Sequence, residues 1–128
     1  MSMPVPDDSL PNWLDMLTVV VDRPAPAVRV LGLRGDVNTF TAPDLEQIID
    51  GQLAAAPRAL VLDLGELDFL GPDGVFVLAC AAYRARMDHV GFCLAAANKS
   101  VAEALYGYGV VEALDLHDSV ADALHTYG

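Results

Sequence analysis

Few residues in this chain could do chemistry. They are three histidines (His89, His117 and His125), two cysteines (Cys80 and Cys93), and an aspartate, Asp73, which interrupts the apolar stretch LDFLGPDGVFVL (67–78). An aspartate at that turn could act as a general base only with a partner within hydrogen-bond reach. The residues after it read as a helix of about fifteen residues, roughly 22 Å long, which carries His89 away from Asp73. His117 follows a later apolar run and is not tied to the same turn. A catalytic triad built on Asp73 is therefore not expected. No His-x-x-His or His-x-x-x-His occurs, and the two cysteines lack the spacing of a metal pair, so no metal site is expected. No glycine-rich loop ends in Lys-Ser or Lys-Thr, and the charge of Asp73 opposes an anion at the helix start. These residues point away from an enzyme and away from a bound cofactor.

The elements that must position them read as strands alternating with helices. Residues 1–16 carry prolines and adjacent aspartates and read as an irregular lead-in, with Trp13, Leu14 and Met16 available to dock it. LTVVVD (17–22) and VRVLGLRG (28–35) read as two strands paired as a hairpin across the turn region RPAPA (23–27). Thr41, with Asp44 three residues later, has the spacing of a capping box. Leu45, Ile48, Ile49 and Leu53 form the apolar stripe of the helix that follows. RALVLDLG (58–65) is a short apolar run that wants cover on both faces, as in a parallel α/β sheet. It is expected to end near Leu64, with Leu67 and Phe69 anchoring the approach to the Gly-Pro-Asp-Gly turn. Gly71 permits the bend, Pro72 suits a first helical turn, and Asp73 is expected to cap a helix running to Met87. In that helix Leu78, Ala81, Ala82 and Ala85 form a small-residue face toward the sheet, with Cys80 near the core edge. Val75, Phe76 and Ala79 lie on the other side, either covered by another element or forming a protein-binding patch. A buried strand at 91–96, a helix capped by Ser100, a strand at 110–116 and a helix at 118–124 complete the chain. The order is β-β-α-β-α-β-α-β-α in one mixed sheet, an α/β single domain over residues 17–128.

Composition sets the outer bounds. A chain of 128 residues with 54% hydrophobic residues is one folded domain with a substantial core. Seven Lys+Arg against eighteen Asp+Glu give a formal net charge of -11. Such a surface repels phosphate backbones and anionic membranes, so neither nucleic acid nor membrane is an expected partner. A basic groove on a partner protein is a better match. The absence of a signal-peptide pattern or a membrane-length apolar run leads to the expectation of a soluble cytoplasmic protein. In that compartment Cys80 and Cys93, on a helix and the following strand, are expected to be reduced and buried, with a redox-sensitive pair as the alternative.

VRVLGLRGDVNTFTAPDLEQII (28–49), ALVLDLGELDFLGPDGVFVLACAAYRAR (59–86) and GFCLAAANKSVAEALYGYGVVEALDLHDSVADAL (91–124) together resemble the STAS domain, as found in bacterial anti-sigma factor antagonists. The resemblance implies a small STAS-like domain without enzymatic activity that binds an anti-sigma factor, often of the serine-kinase type, and frees a sigma factor for transcription. It implies a switch in which a kinase phosphorylates a Ser or Thr within an Asp-Ser-Ser/Thr-Gly loop and a phosphatase reverses it. Carried over by position, that loop is Gly71, Pro72, Asp73 and Gly74; the acceptor position falls on Pro72, and no Ser, Thr or Tyr lies between Leu60 and Ala82. Phosphorylation at the usual position is therefore not expected, and Asp73 supplies one charge beside it, a weak mimic of phosphate. The resemblance places the partner-binding surface on Asp36, Asn38, Phe40, Pro72, Asp73, Gly74, Val75 and Phe76, and Phe76 also suits a homodimer contact. A STAS module of another signalling, scaffold or transport complex, and a small-ligand or nucleotide sensor, are the alternative functions.

Overall fold

The computed structural model describes residues 16–109 and 114–127. The lead-in at 1–15, with its docking residues Trp13 and Leu14, and the first part of the expected last strand, 110–113, fall outside them. The chain runs β1 (Leu17–Ala25), β2 (Val28–Val37), α1 (Ala42–Ala54), β3 (Ala59–Leu70), α2 (Pro72–Met87), β4 (Gly91–Ala95), α3 (Lys99–Gly107), β5 (Asp115–His117) and α4 (Val120–Tyr127). The sheet order is β1-β2-β3-β4-β5. The β1–β2 hairpin is antiparallel and every other pairing is parallel. This is the expected element order.

Side-chain alternation along the strands divides the interior in two. Leu60, Leu62 and Leu64 of β3, with Leu31 and Leu33 of β2 and Leu94 of β4, face the main core, where Leu45, Ile49 and Leu53 of α1, Leu78 of α2 and Leu105 of α3 pack on them. Each fully buried aliphatic of this size contributes about 1.5–3 kcal/mol. Val30, Val61, Cys93 and Ala95 face the other way, toward Ala123 of α4. Three helices thus lie on one face and one on the other. The stretch of β2 that alternates imperfectly is buried on both faces for this reason.

Several boundaries differ from the expected ones. β1 continues through Pro24 to Ala25, with a register shift between Asp22 and Ala25. An edge strand tolerates proline where its amide would face away from the ladder. β3 does not end near Leu64 but runs to Leu70. Only its pairing with β4 stops early, at Asp63–Ala95. Its pairing with β2 jumps from Gly32–Asp63 to Arg34–Glu66 and continues to Val37–Leu70. Gly65 therefore sits within an irregularity of a continuing strand, and its amide donates to Asp63 Oδ1 at 2.9 Å. Leu67 is fully buried, whereas Phe69, expected as an anchor, is 49% exposed.

The helix starts also differ. The Thr41 hydroxyl makes no capping bond to α1; it donates to the Asp36 carbonyl and accepts from the Asn38 amide. Asn98, not Ser100, caps α3, and its Oδ1 accepts from the Val101 amide at 2.9 Å. Its Nδ2 donates to the Leu67 carbonyl at 2.7 Å, tying the cap to the far part of β3. In α4, Ser119 Oγ accepts from the Asp122 amide, as a serine cap does.

Asn98 therefore has two functions that substitution can separate. Asn98→Ala removes both bonds and is expected to cost about 1–2 kcal/mol. Asn98→Asp keeps the cap but sets a carboxylate against the Leu67 carbonyl, so it should also destabilise. Urea denaturation of the three proteins measures both effects.

Candidate functional site

Parallel pairing brings the carboxyl ends of β2 and β3 side by side, so the turns into α1 and α2 emerge next to each other. Asp36 pairs with Phe69 and Val37 with Leu70. The Gly71 amide then donates to the Val37 carbonyl at 2.9 Å, extending the contact into the second turn. On the α1 side Asn38 organises the turn: its Oδ1 accepts from the amides of Phe40 at 2.8 Å and Thr41 at 3.0 Å. Thr41 is buried beneath this turn, its hydroxyl bonded to Asp36 and Asn38.

On the α2 side the cap is Gly71, in extended backbone conformation, and Pro72 opens the helix. Asp73 is already within the first turn and makes no side-chain capping bond, contrary to expectation. Its negative charge still suits this end of the helix dipole. Gly74 is buried so closely that an added Cβ would lie 2.5 Å from Val37 Cγ1 and 2.7 Å from Leu70 Cδ1. This close approach, rather than any turn, requires glycine there.

Of the residues expected to meet a partner, Phe40 is 61% and Phe76 69% exposed. Pro72 and Asp73 are exposed, and Asp36 and Asn38 half-buried. Gly74 and Val75 are corrections: both face the core, where Val75 packs with Val77, Leu78, Ala81 and Ala85. The inward stripe of α2 thus includes Val75, placed on the outer side by the sequence reading, and leaves Phe76 outside. Phe69 joins the surface unexpectedly, its ring edge 3.1 Å from where a Gly71 Cβ would stand. The signal for it was an aromatic next to a fully buried leucine run, read as a second anchor.

The electrostatics of this surface are one-sided. Between Gly35 and Pro57, and between Ala59 and Tyr83, there is no Lys or Arg, while Asp36, Asp44, Asp68 and Asp73 all fall within these segments. Basic residues flank these segments: Arg34 lies 3.9 Å from Glu66 across β2 and β3, and Arg84, toward the far end of α2, pairs with Asp50 of α1. Half-exposed ion pairs of this kind contribute little.

The cysteines do not come together. Cys80 is exposed, not buried at the core edge, and lines a cavity of about 80 Å³ between α1 and α2 with Ile49, Val77 and Arg84. Cys93 is buried on the opposite sheet face with Val61 and Ala123. The sheet separates them, so the fold offers no redox pair. Burial above all, and then the charge of Asp115, push the Cys93 thiol up to about 12, against a hydrogen bond to Tyr127 that acts the other way.

The fold and this surface define a small α/β domain with an acidic, aromatic face at the carboxyl end of its sheet. The family model described as STAS domain matches residues 19–123, and the chain belongs to that family. A curated relative named anti-sigma-F factor antagonist RsfB, from Mycobacterium tuberculosis, is 31% identical over 97 residues, 76% of this chain and 79% of its own. RsfA of the same organism, also named an anti-sigma-F factor antagonist, is 30% identical over 97 residues, 74% of this chain and 76% of its own. A solved anti-sigma factor antagonist from Mycobacterium paratuberculosis superposes with a TM-score of 0.80 at 31% identity, covering 88% of this chain and 95% of that one.

The two thiols should respond differently to reagents and to alkali. Near neutral pH an aromatic disulfide should modify Cys80 quickly and Cys93 only on unfolding. An unfolded thiol ionises near 9.0 and the folded Cys93 near 12, so between those values the unfolded chain has released a proton that the folded chain keeps. That stability is intact below the first value and falls as pH rises toward the second. Melting temperatures measured from about pH 8 to about pH 10 should decline, and less so for Cys93→Ala.

Proposed function

We propose that this protein is an anti-sigma factor antagonist that binds its anti-sigma factor without phosphorylation at the usual loop position. Membership of the STAS family and relatives bearing that name support the class. The observation that carries the reading is the exposure of Phe40 and Phe76 beyond the paired ends of β2 and β3, on segments that carry acidic residues and no basic ones. Exposed aromatics ringed by charge are the anchors of protein interfaces. The partner's complementary face is basic with apolar pockets, and its type is that of the protein-kinase-like anti-sigma factors.

The contacts divide between the elements. Phe76 on α2 and Phe40 before α1 supply apolar anchors, and Phe69 extends the apolar area beside Gly71. Asp36 and Asp73 supply the charged rim, which raises the encounter rate more than it lowers the dissociation rate. Gly74 and Val75 act from beneath by holding α2 close to β2 and β3. Pro72 holds the start of the helix and offers no hydroxyl, so a kinase partner has no acceptor between Leu60 and Ala82. The partner-bound state then persists without a phosphorylation cycle at this loop. The action is regulatory and takes place in the cytoplasm, where sigma factors act.

Calorimetric titration with a purified kinase-type anti-sigma factor from the same organism tests this. Phe76→Ala should weaken binding about 30-fold or more, as an anchor residue does, and leave the melting temperature nearly unchanged because the side chain is exposed. Raised salt should slow association. Incubation with the partner and ATP should add no phosphate within residues 71–76 and leave affinity unchanged. Tight binding that survives Phe40→Ala/Phe76→Ala together, or phosphate found in that loop, would falsify the proposal.

A further inference from the structure

The sheet face that α4 covers holds three donors that the proposed docking function does not use. In the β4–β5 ladder Cys93 pairs with Asp115 and Ala95 with His117. Strand alternation then turns the side chains at 93, 115 and 117 to one face, the face that α4 covers. There the Cys93 sulfur, an Asp115 carboxylate oxygen and a His117 ring nitrogen all lie within 4.8 Å of one another. His117 Nε2 is 3.1 Å from Asp115 Oδ2, and the Tyr127 hydroxyl is 3.5 Å from the same oxygen. Cys93 is fully buried, while the side chains of His117 and Asp115 are 19% and 52% exposed. The donors therefore run from a sealed floor to an open rim.

Two plainer readings account for less. A cysteine nucleophile needs a sulfur that substrate can reach, and Cys93 has no exposed surface. An Asp115–His117 ion pair, with Tyr127 hydrogen-bonded to Asp115 and to the thiol, accounts for the pairwise contacts; a bound ion accounts in addition for the convergence of three different donor atoms within 4.8 Å.

We infer that Cys93, Asp115 and His117 form a site for one divalent zinc ion, with water as the fourth ligand. Sulfur, imidazole nitrogen and carboxylate oxygen are the donors zinc takes, at about 2.0–2.3 Å, which sets neighbouring donors roughly 3.5 Å apart in a tetrahedron. Closing the observed cluster onto an ion requires side-chain shifts of about 1 Å. The thiol selects against magnesium and calcium, which take oxygen donors. On binding, the Cys93 S–H bond gives way to a sulfur–zinc bond and the proton leaves to solvent, with no change of oxidation state. Tyr127 is a positioning residue, its hydroxyl set against the Asp115 carboxylate. The ion fastens β5, only three residues long, to β4. The site is independent of the docking surface, and neither needs the other.

Cobalt(II) is the probe, because its bond to a thiolate gives a charge-transfer band in the near ultraviolet. The full chain, stripped with chelator, should bind one Co²⁺ with that band, and Zn²⁺ should displace it and raise the melting temperature. Cys80→Ser should keep the band, since only Cys93 then remains to give it. Cys93→Ser should abolish it, His117→Gln should weaken binding more than Tyr127→Phe does, and Tyr127→Phe should cost about tenfold. A folded Cys80→Ser protein that binds Co²⁺ without the sulfur band, or does not bind it, overturns the inference even if the Cys93 variant fails to fold.

Discussion

The pairing of β2 with β3 is the constraint on which the rest of the structure depends. It is parallel, it survives a register shift beside Gly65, and it carries on well past the point where β4 leaves the ladder. Because it continues to Val37 and Leu70, the turns that follow both strands leave the sheet as neighbours. Gly71 and Gly74 then close the angle between α2 and the strand ends, one through a backbone bond and one by the lack of a side chain. A shorter β3 would set α2 free of β2 and separate the two turns. Asn98 reinforces the same region from the other side, since it holds the Leu67 carbonyl while starting α3.

Much of this was legible in the sequence, because apolar periodicity reports burial and burial sets element type. The order of nine elements, the hairpin and the inward stripe of α1 follow from it. What was not legible were choices between residues of equal local merit. Thr41, Ser100 and Asp73 all carry the right side chains to cap a helix, yet only tertiary geometry decides that Thr41 and Asn38 build a turn and that Asn98 caps α3. Gly65 looks like a strand terminator, since a chain read alone cannot show that β2 continues beside it. Val75 and Phe76 are adjacent apolar residues, and a helix can bury only one of two such neighbours against a given surface. Phe69 was misplaced for the related reason that an irregular strand loses strict alternation.

The Cys93, Asp115 and His117 cluster shows the same limit more sharply. Two of its members are two residues apart, but the third comes from another strand, so no spacing rule connects them. Register does, and register is a property of the sheet. The two faces of the sheet thereby differ: α1, α2 and α3 pack on the larger core, and the α4 face brings Cys93, Asp115 and His117 together.

The outer strands bear on how this chain keeps company with itself. At one rim β1 carries Pro24 and a register break, and at the other β5 offers only three residues. Among the described residues the β5 rim is a poor template for another strand, since so short a ladder gains little, whereas β1 keeps an unbroken run from Leu17 to Asp22 and exposes Val20 and Val21 before the proline ends it. Backbone-to-backbone zippering between crowded copies is thereby blunted at the β5 rim, and the β1 rim is the one through which a second copy could extend the sheet.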